Sequence, residues 1–126
     1  MTEPTQLSIL VAEDESLLRM MASDLFEGAG FKVIEAASGE SALKQLGGGP
    51  IAALFTDVEL GGNLDGFKLA RMAHERNPDT AIFVVSGRRT PDPADLPPGA
   101  VFVSKPYDLD RVLESLQSMI DAANAH

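Results

Sequence analysis

The sequence predicts an α/β fold: a parallel sheet with helices on both faces. Short apolar runs alternate with amphipathic stretches along the chain, which is the pattern of strand–helix–strand units. The runs are continuous rather than alternating in polarity, as expected for strands buried on both faces. Several of them end in charged or hydroxyl-bearing residues, the position at which parallel sheets gather ligands.

The elements follow in order. Leu7 to Ala12 is a first strand, ending in Glu13, Asp14 and Glu15. From Ser16 to Glu27 the residues Leu18, Met21, Ala22 and Leu25 form a helical stripe, stopped by "GAG" at 28–30. Phe31 to Ala36 is a second strand, and "SGESALKQL" a short helix closed by Gly47, Gly48, Gly49 and Pro50. Ile51 to Thr56 is a third strand that runs into Asp57. After the loop "ELGGNLDG", Asp65 is placed to cap a helix that reaches Asn77 and stops at Pro78. Ala81 to Ser86 and Ala100 to Ser104 are the fourth and fifth strands. Between them "GRRTPDPADLPPG", residues 87–99, holds four prolines and no apolar stripe. Proline in a helix interior costs about 3 kcal/mol, so at most one turn is expected, near Pro93 to Leu96. A last helix from Leu109 to Ala122 has the cleanest stripe: Leu109, Val112, Leu113, Leu116 and Ile120.

Composition narrows the function classes. A chain of 126 residues, 44% hydrophobic, is expected to form one domain over residues 1–126 with a real core. A net charge of −9 makes nucleic acid and anionic membranes poor partners. The absence of cysteine excludes disulfides and zinc–cysteine sites. No apolar stretch approaches the roughly 20 residues of a bilayer span, and "MTEPTQ" lacks the start of a signal peptide. A cytoplasmic location is the expectation.

The strand ends carry the chemistry. Three adjacent carboxylates after one strand repel one another, and folding gains nothing from them alone. A cation shared by Glu13, Asp14 and Asp57 explains them. Hard oxygen ligands suit Mg²⁺, which commonly joins a carboxylate to a phosphate. An aspartate can accept a phosphoryl group, whose charge then needs positive partners and hydrogen-bond donors. Ser86 and Lys105 stand at the ends of strands four and five, and Gly87 leaves room for a group to enter.

With "LVAEDE", "LFTDV", "DGFKLA", "VVSG" and "VSKPY" in this order, the chain resembles a response regulator receiver domain over nearly its whole length. The resemblance implies a doubly wound, flavodoxin-like sheet in the order 2-1-3-4-5, here with the fourth helix short or absent. It implies Asp57 as phosphoacceptor, and Mg²⁺ held by Glu13, Asp14, Asp57 and the backbone carbonyl of Glu59. Ser86 becomes the switch hydroxyl, and Lys105 the lysine of the family pattern, turned into the site by a cis Lys105–Pro106 bond. A histidine kinase or histidine phosphotransfer protein would donate the phosphoryl group to a stand-alone receiver, a monomer or weak dimer, acting on a further protein. Its chemistry would be confined to its own phosphorylation and dephosphorylation.

The sequence departs from the family pattern in three places. The loop after Asp57 has glycines and one extra residue, the stretch 87–99 replaces most of a helix, and the aromatic switch position falls on Phe102, which cannot donate a hydrogen bond. Residues 87–99 are therefore expected to form a mobile output face, with Arg88, Arg89 and Tyr107 as partner-facing candidates. His74 and His126 read as surface residues. Two other functions fit less well: a small haloacid-dehalogenase-like phosphatase, whose nucleophile belongs on the first strand, and a receiver-like binding module that is never phosphorylated.

Overall fold

The computed structural model describes residues 6–124; His126 lies outside them. Five parallel strands form one sheet in the order β2-β1-β3-β4-β5. They are β1 Ser8–Ala12, β2 Lys32–Ala36, β3 Ala53–Asp57, β4 Ala81–Ser86 and β5 Val101–Ser104. The helices are α1 Ser16–Gly28, α2 Gly39–Leu46, α3 Gly66–Arg76 and α4 Leu109–Asn124. Fold class and strand order are those expected. The β4–β5 connection holds a single 3-10 turn, Pro93–Asp95, as its prolines require. Among the described residues no helix is long and apolar enough to cross a membrane.

Alternation along each strand divides the core in two. Leu10, Leu54, Ile82 and Val84 face α2 and α3, meeting Ala42, Leu46, Phe67 and Ala70. Ile9, Val11, Phe55, Phe83 and Val85 face α1 and α4, meeting Ala22, Phe26, Val112, Leu116 and Ile120. Phe55 centres the second layer, with Phe26 edge-on at 5.7 Å and Tyr107 edge-on at 5.9 Å. Both faces of β1, β3 and β4 are thus buried, which is why these strands are mainly apolar until their last residues, whereas the edge strands β2 and β5 are more exposed and β2 carries Lys32 and Glu35.

The α1 stripe is phased differently from the expectation. Met21 is 47% exposed, with Leu17 and Met20 beside it in solvent, while Ala22, Ser23 and Phe26 are buried. Burial of Phe26 accompanies this rotation, and Arg19 is turned toward β2. Its guanidinium donates to the Glu13 carbonyl at 2.7 Å and pairs with Glu35 of β2 at 3.3 Å. Ser23 tolerates burial because its hydroxyl donates to the Arg19 carbonyl at 2.8 Å.

Hydrogen bonding continues one residue past three strand ends. Glu13 N–H donates to the Ala36 carbonyl, Val58 N–H to Val85, and Lys105 N–H to Ser86, all at 2.9–3.0 Å. The sheet ladder itself therefore fixes where the polar residues begin. The Lys105–Pro106 peptide is cis, as expected.

Candidate functional site

Asp57 is the last residue of β3, a central strand, and is only 4% exposed. Both of its carboxylate oxygens are engaged. Oδ2 accepts a hydrogen bond from Lys105 Nζ at 2.6 Å, and Oδ1 accepts one from the Glu59 N–H at 3.1 Å. Behind it, Gly66 opens α3 so closely that a Cβ would collide with the Asp57 carbonyl. Asp65 caps that helix, as expected, by accepting the Lys68 N–H at 2.9 Å. A buried carboxylate is thus clamped between a strand end and a helix start.

Glu13, also 4% exposed, lies beside it. One ammonium serves both acids, and unequally: Lys105 Nζ is 2.6 Å from Asp57 but 3.9 Å from Glu13. Burial pushes the Glu13 pKa up, with the neighbouring Asp57 charge adding to it, to about 7. On Lys105 burial acts to lower the pKa, but the hydrogen bond and charge of Asp57, helped by Glu13, outweigh it and hold it above the ordinary value. Burial likewise raises the Tyr107 phenol.

Asp14 is exposed, yet one oxygen from each of Glu13, Asp14 and Asp57 lies within 4.8 Å of the others. Three carboxylates with one shared ammonium leave negative charge uncompensated. An all-oxygen donor set of this kind fits a hard divalent cation such as Mg²⁺.

On the other side of Asp57, Ser86 ends β4 and is 1% exposed. Its hydroxyl donates to the Glu59 carboxylate, at 2.8 and 2.9 Å from the two oxygens. The same Oγ accepts the Arg88 N–H at 3.1 Å and the Arg89 N–H at 3.0 Å. Arg89 also pairs with Asp65 at 3.1 Å. The sequence points to Glu59 only through its backbone carbonyl; the contact of its side chain with Ser86 emerges only from the structure. The available signal was the spacing, since an acid two residues beyond Asp57 can fold back over the strand end.

The remaining candidates lie further out. Arg88 and Arg89 line the cleft over the acids, together with Gly61, Gly62 and Gly87. Phe102 is half-buried and packs on Phe67 of α3 at 6.5 Å, on the sheet face opposite Tyr107. His74 is half-buried on α3 and does not line the cleft.

Comparison with known proteins agrees with this geometry. The family model described as "Response regulator receiver domain" matches residues 9–117. The response regulator receiver protein CpdR of Brucella abortus is 34% identical over 119 residues, covering 91% of this chain and 98% of that protein. A response regulator receiver protein from Sinorhizobium medicae superposes with a TM-score of 0.88 at 27% identity, over 94% of this chain and 97% of that one. The receiver domain of the hybrid histidine kinase CckA gives 0.75 at 31% identity, over 90% and 98%. With a family model spanning most of the chain and a relative aligned almost end to end, the chain belongs to the response regulator receiver domain family.

Proposed function

We propose that Asp57 accepts a phosphoryl group from a phosphohistidine on a histidine kinase or histidine phosphotransfer protein. Receiver domains are signalling proteins of two-component systems rather than classical enzymes, and they bind Mg²⁺ at an acidic pocket. One observation supports the assignment to Asp57: its carboxylate closes a central strand beside those of Glu13 and Asp14, with Lys105 Nζ 2.6 Å away. Glu13, Asp14 and Asp57, with the Glu59 carbonyl, would hold Mg²⁺, which neutralises phosphoryl charge when bound. In the transfer, an Asp57 oxygen forms the new P–O bond as the donor P–N bond breaks, and the leaving imidazole nitrogen keeps the electron pair. Lys105 then has a phosphoryl oxygen as a second anionic partner beside Asp57. Ser86 supplies a hydroxyl donor on the far side. Residues 1–126 would act as one receiver domain in the cytoplasm, changing conformation to control a further protein.

The alternatives lose ground on position. Asp57 ends the third strand, not the first as a haloacid-dehalogenase-like phosphatase would need. A binding module that is never phosphorylated does not need Glu13, Asp14, Asp57, Ser86 and Lys105 together at the strand ends. Incubation with phosphoramidate and Mg²⁺, followed by intact-mass measurement, tests the proposal. One phosphoryl group is expected on the wild-type protein and none on Asp57→Asn. Equal uptake by both would assign the chemistry elsewhere.

A further inference from the structure

We infer that the Glu59 side chain is an internal competitor for the Ser86 hydroxyl, a latch that holds the site in its unphosphorylated arrangement and that phosphoryl uptake must open. The inference rests on the reading of Asp57 as phosphoacceptor. It starts from a full inventory of bonds at Ser86 Oγ. A hydroxyl has one proton and two lone pairs. The proton goes to the Glu59 carboxylate, and the two lone pairs take the Arg88 and Arg89 N–H groups. No donor capacity remains for an oxygen arriving on Asp57. Ser86 is 1% exposed, so water does not easily take Glu59's place.

The competing bond is strong for its type. A hydroxyl bonded to a carboxylate is charge-assisted and roughly twice as strong as a neutral pair. It is also placed where phosphorylation would break it. Glu59 follows Asp57 by two residues, and its own N–H is bound to Asp57 Oδ1. A phosphoryl group on Asp57 adds negative charge beside the Glu59 carboxylate and offers Ser86 a new acceptor. Like-charge repulsion then drives Glu59 out while the hydroxyl changes partner.

The latch also joins two loops. Glu59 belongs to the connection after β3, and Ser86 holds the first residues of the β4–β5 connection through the Arg88 and Arg89 amides. A second tie, Arg89 to Asp65, spans the same two loops. Opening the first bond therefore frees the β3 loop from the β4 loop at the point where the acceptor sits.

A double-mutant cycle separates the latch from a simple charge effect. Initial rates of phosphoryl gain from phosphoramidate, at saturating Mg²⁺ and fixed ionic strength, are measured for wild type, Glu59→Ala, Ser86→Ala and the double variant. Glu59→Gln serves as the variant of unchanged size. Loss of the charge-assisted bond predicts an acceleration of about tenfold for Glu59→Ala and a smaller one for Glu59→Gln. In the Ser86→Ala background only charge repulsion is left to relieve, so the same Glu59 change should accelerate the rate at least about threefold less than it does with Ser86 present. Binding of beryllium fluoride, read by thermal shift, should follow the same pattern with no phosphoryl group transferred. Absence of acceleration, or equal acceleration in both backgrounds, overturns the latch, the second result because Glu59 would then act only by repelling the donor. If wild type folds but gains no phosphoryl group on Asp57, the site reading fails, and the inference fails with it.

Discussion

Two structures share the ligand-binding end of the sheet, and they are held in different ways. The acid cradle of Glu13, Asp57 and their neighbours is set by the backbone: ladder bonds continue past the ends of β1 and β3, and both acids are buried. The β4–β5 connection across the cleft is exposed from Gly87 to Thr90. It is tied down by side chains: Arg89 on Asp65, the Ser86 hydroxyl on two amides, and Arg71 donating to the Asp95 carbonyl at 2.9 Å. Backbone ties place groups for chemistry and hold them there. Side-chain ties are individually weak and exchangeable, which suits a segment whose partners change with the state of the site.

The cradle should give the largest response, and it should depend on pH. With a folded-state pKa of about 7 against the ordinary 4.5, Glu13 holds a proton in the folded protein that the unfolded chain has already lost. Stability of the cation-free protein should therefore fall as pH rises from about 4.5 to about 7, by up to roughly 3 kcal/mol from this group. Glu13→Gln should flatten that slope. Saturating Mg²⁺ should flatten it too, because a cation at Glu13 favours the ionised carboxylate. Chemical denaturation at several pH values, with and without Mg²⁺, measures all three. A slope that persists unchanged with Mg²⁺ would remove the cation from Glu13.

Two glycines sharpen the contrast at intermediate size. A Cβ at Gly66 would meet the Asp57 carbonyl and the Val58 Cα, both backbone atoms that cannot move aside. Gly66→Ala should cost about 2 kcal/mol by overpacking and should weaken phosphoryl uptake by displacing Asp57. A Cβ at Gly87 would meet only the Lys105 side chain, at an ordinary 3.6 Å. Gly87→Ala should stay within about 0.5 kcal/mol of wild type. Melting curves decide this, and equal losses at both positions would erase the distinction between the two regions.

How much of this was legible in the sequence divides along the same line. The acids, Ser86 and Lys105 could be found because strand ends are marked by where apolar runs stop, and the Asp65 cap by its place before a helix. The single turn at Pro93–Asp95 followed from proline chemistry. Side-chain ties are harder to read. The rotation of α1 buries Phe26 and brings Arg19 to Glu35 of the neighbouring strand, contacts that helical periodicity alone does not encode. The reach of Glu59 to Ser86 depends on the path of the loop after Asp57, where Gly61 and Gly62 both take φ near +69° and Leu60 turns into the core. A left-handed glycine pair marks a turn, but not which neighbouring side chain it aims at the site.

The smallest effects belong to the ties of the β4–β5 connection, and they test whether it opens separately from the rest. The Arg89 side chain is 53% exposed and its partner Asp65 28%, so Arg89→Ala should cost less than about 1 kcal/mol, and still less in high salt. Arg71 makes a charged hydrogen bond to a carbonyl in a more protected place, so Arg71→Ala should cost slightly more, about 1 kcal/mol. Neither should shift the melting point by more than a few degrees. Local opening, however, is governed by the few bonds that close the segment, not by the global stability. Leu96 and the buried Pro97 still hold the middle of the connection against the α3 side of the core. Amide exchange in residues 87–92 should therefore rise several-fold in the variant carrying both Arg71→Ala and Arg89→Ala, while β1 and β3 keep wild-type protection. If exchange rises equally in the strands, the connection is part of one cooperative unit with the cradle. If it does not rise at all, the arginines are not what hold it.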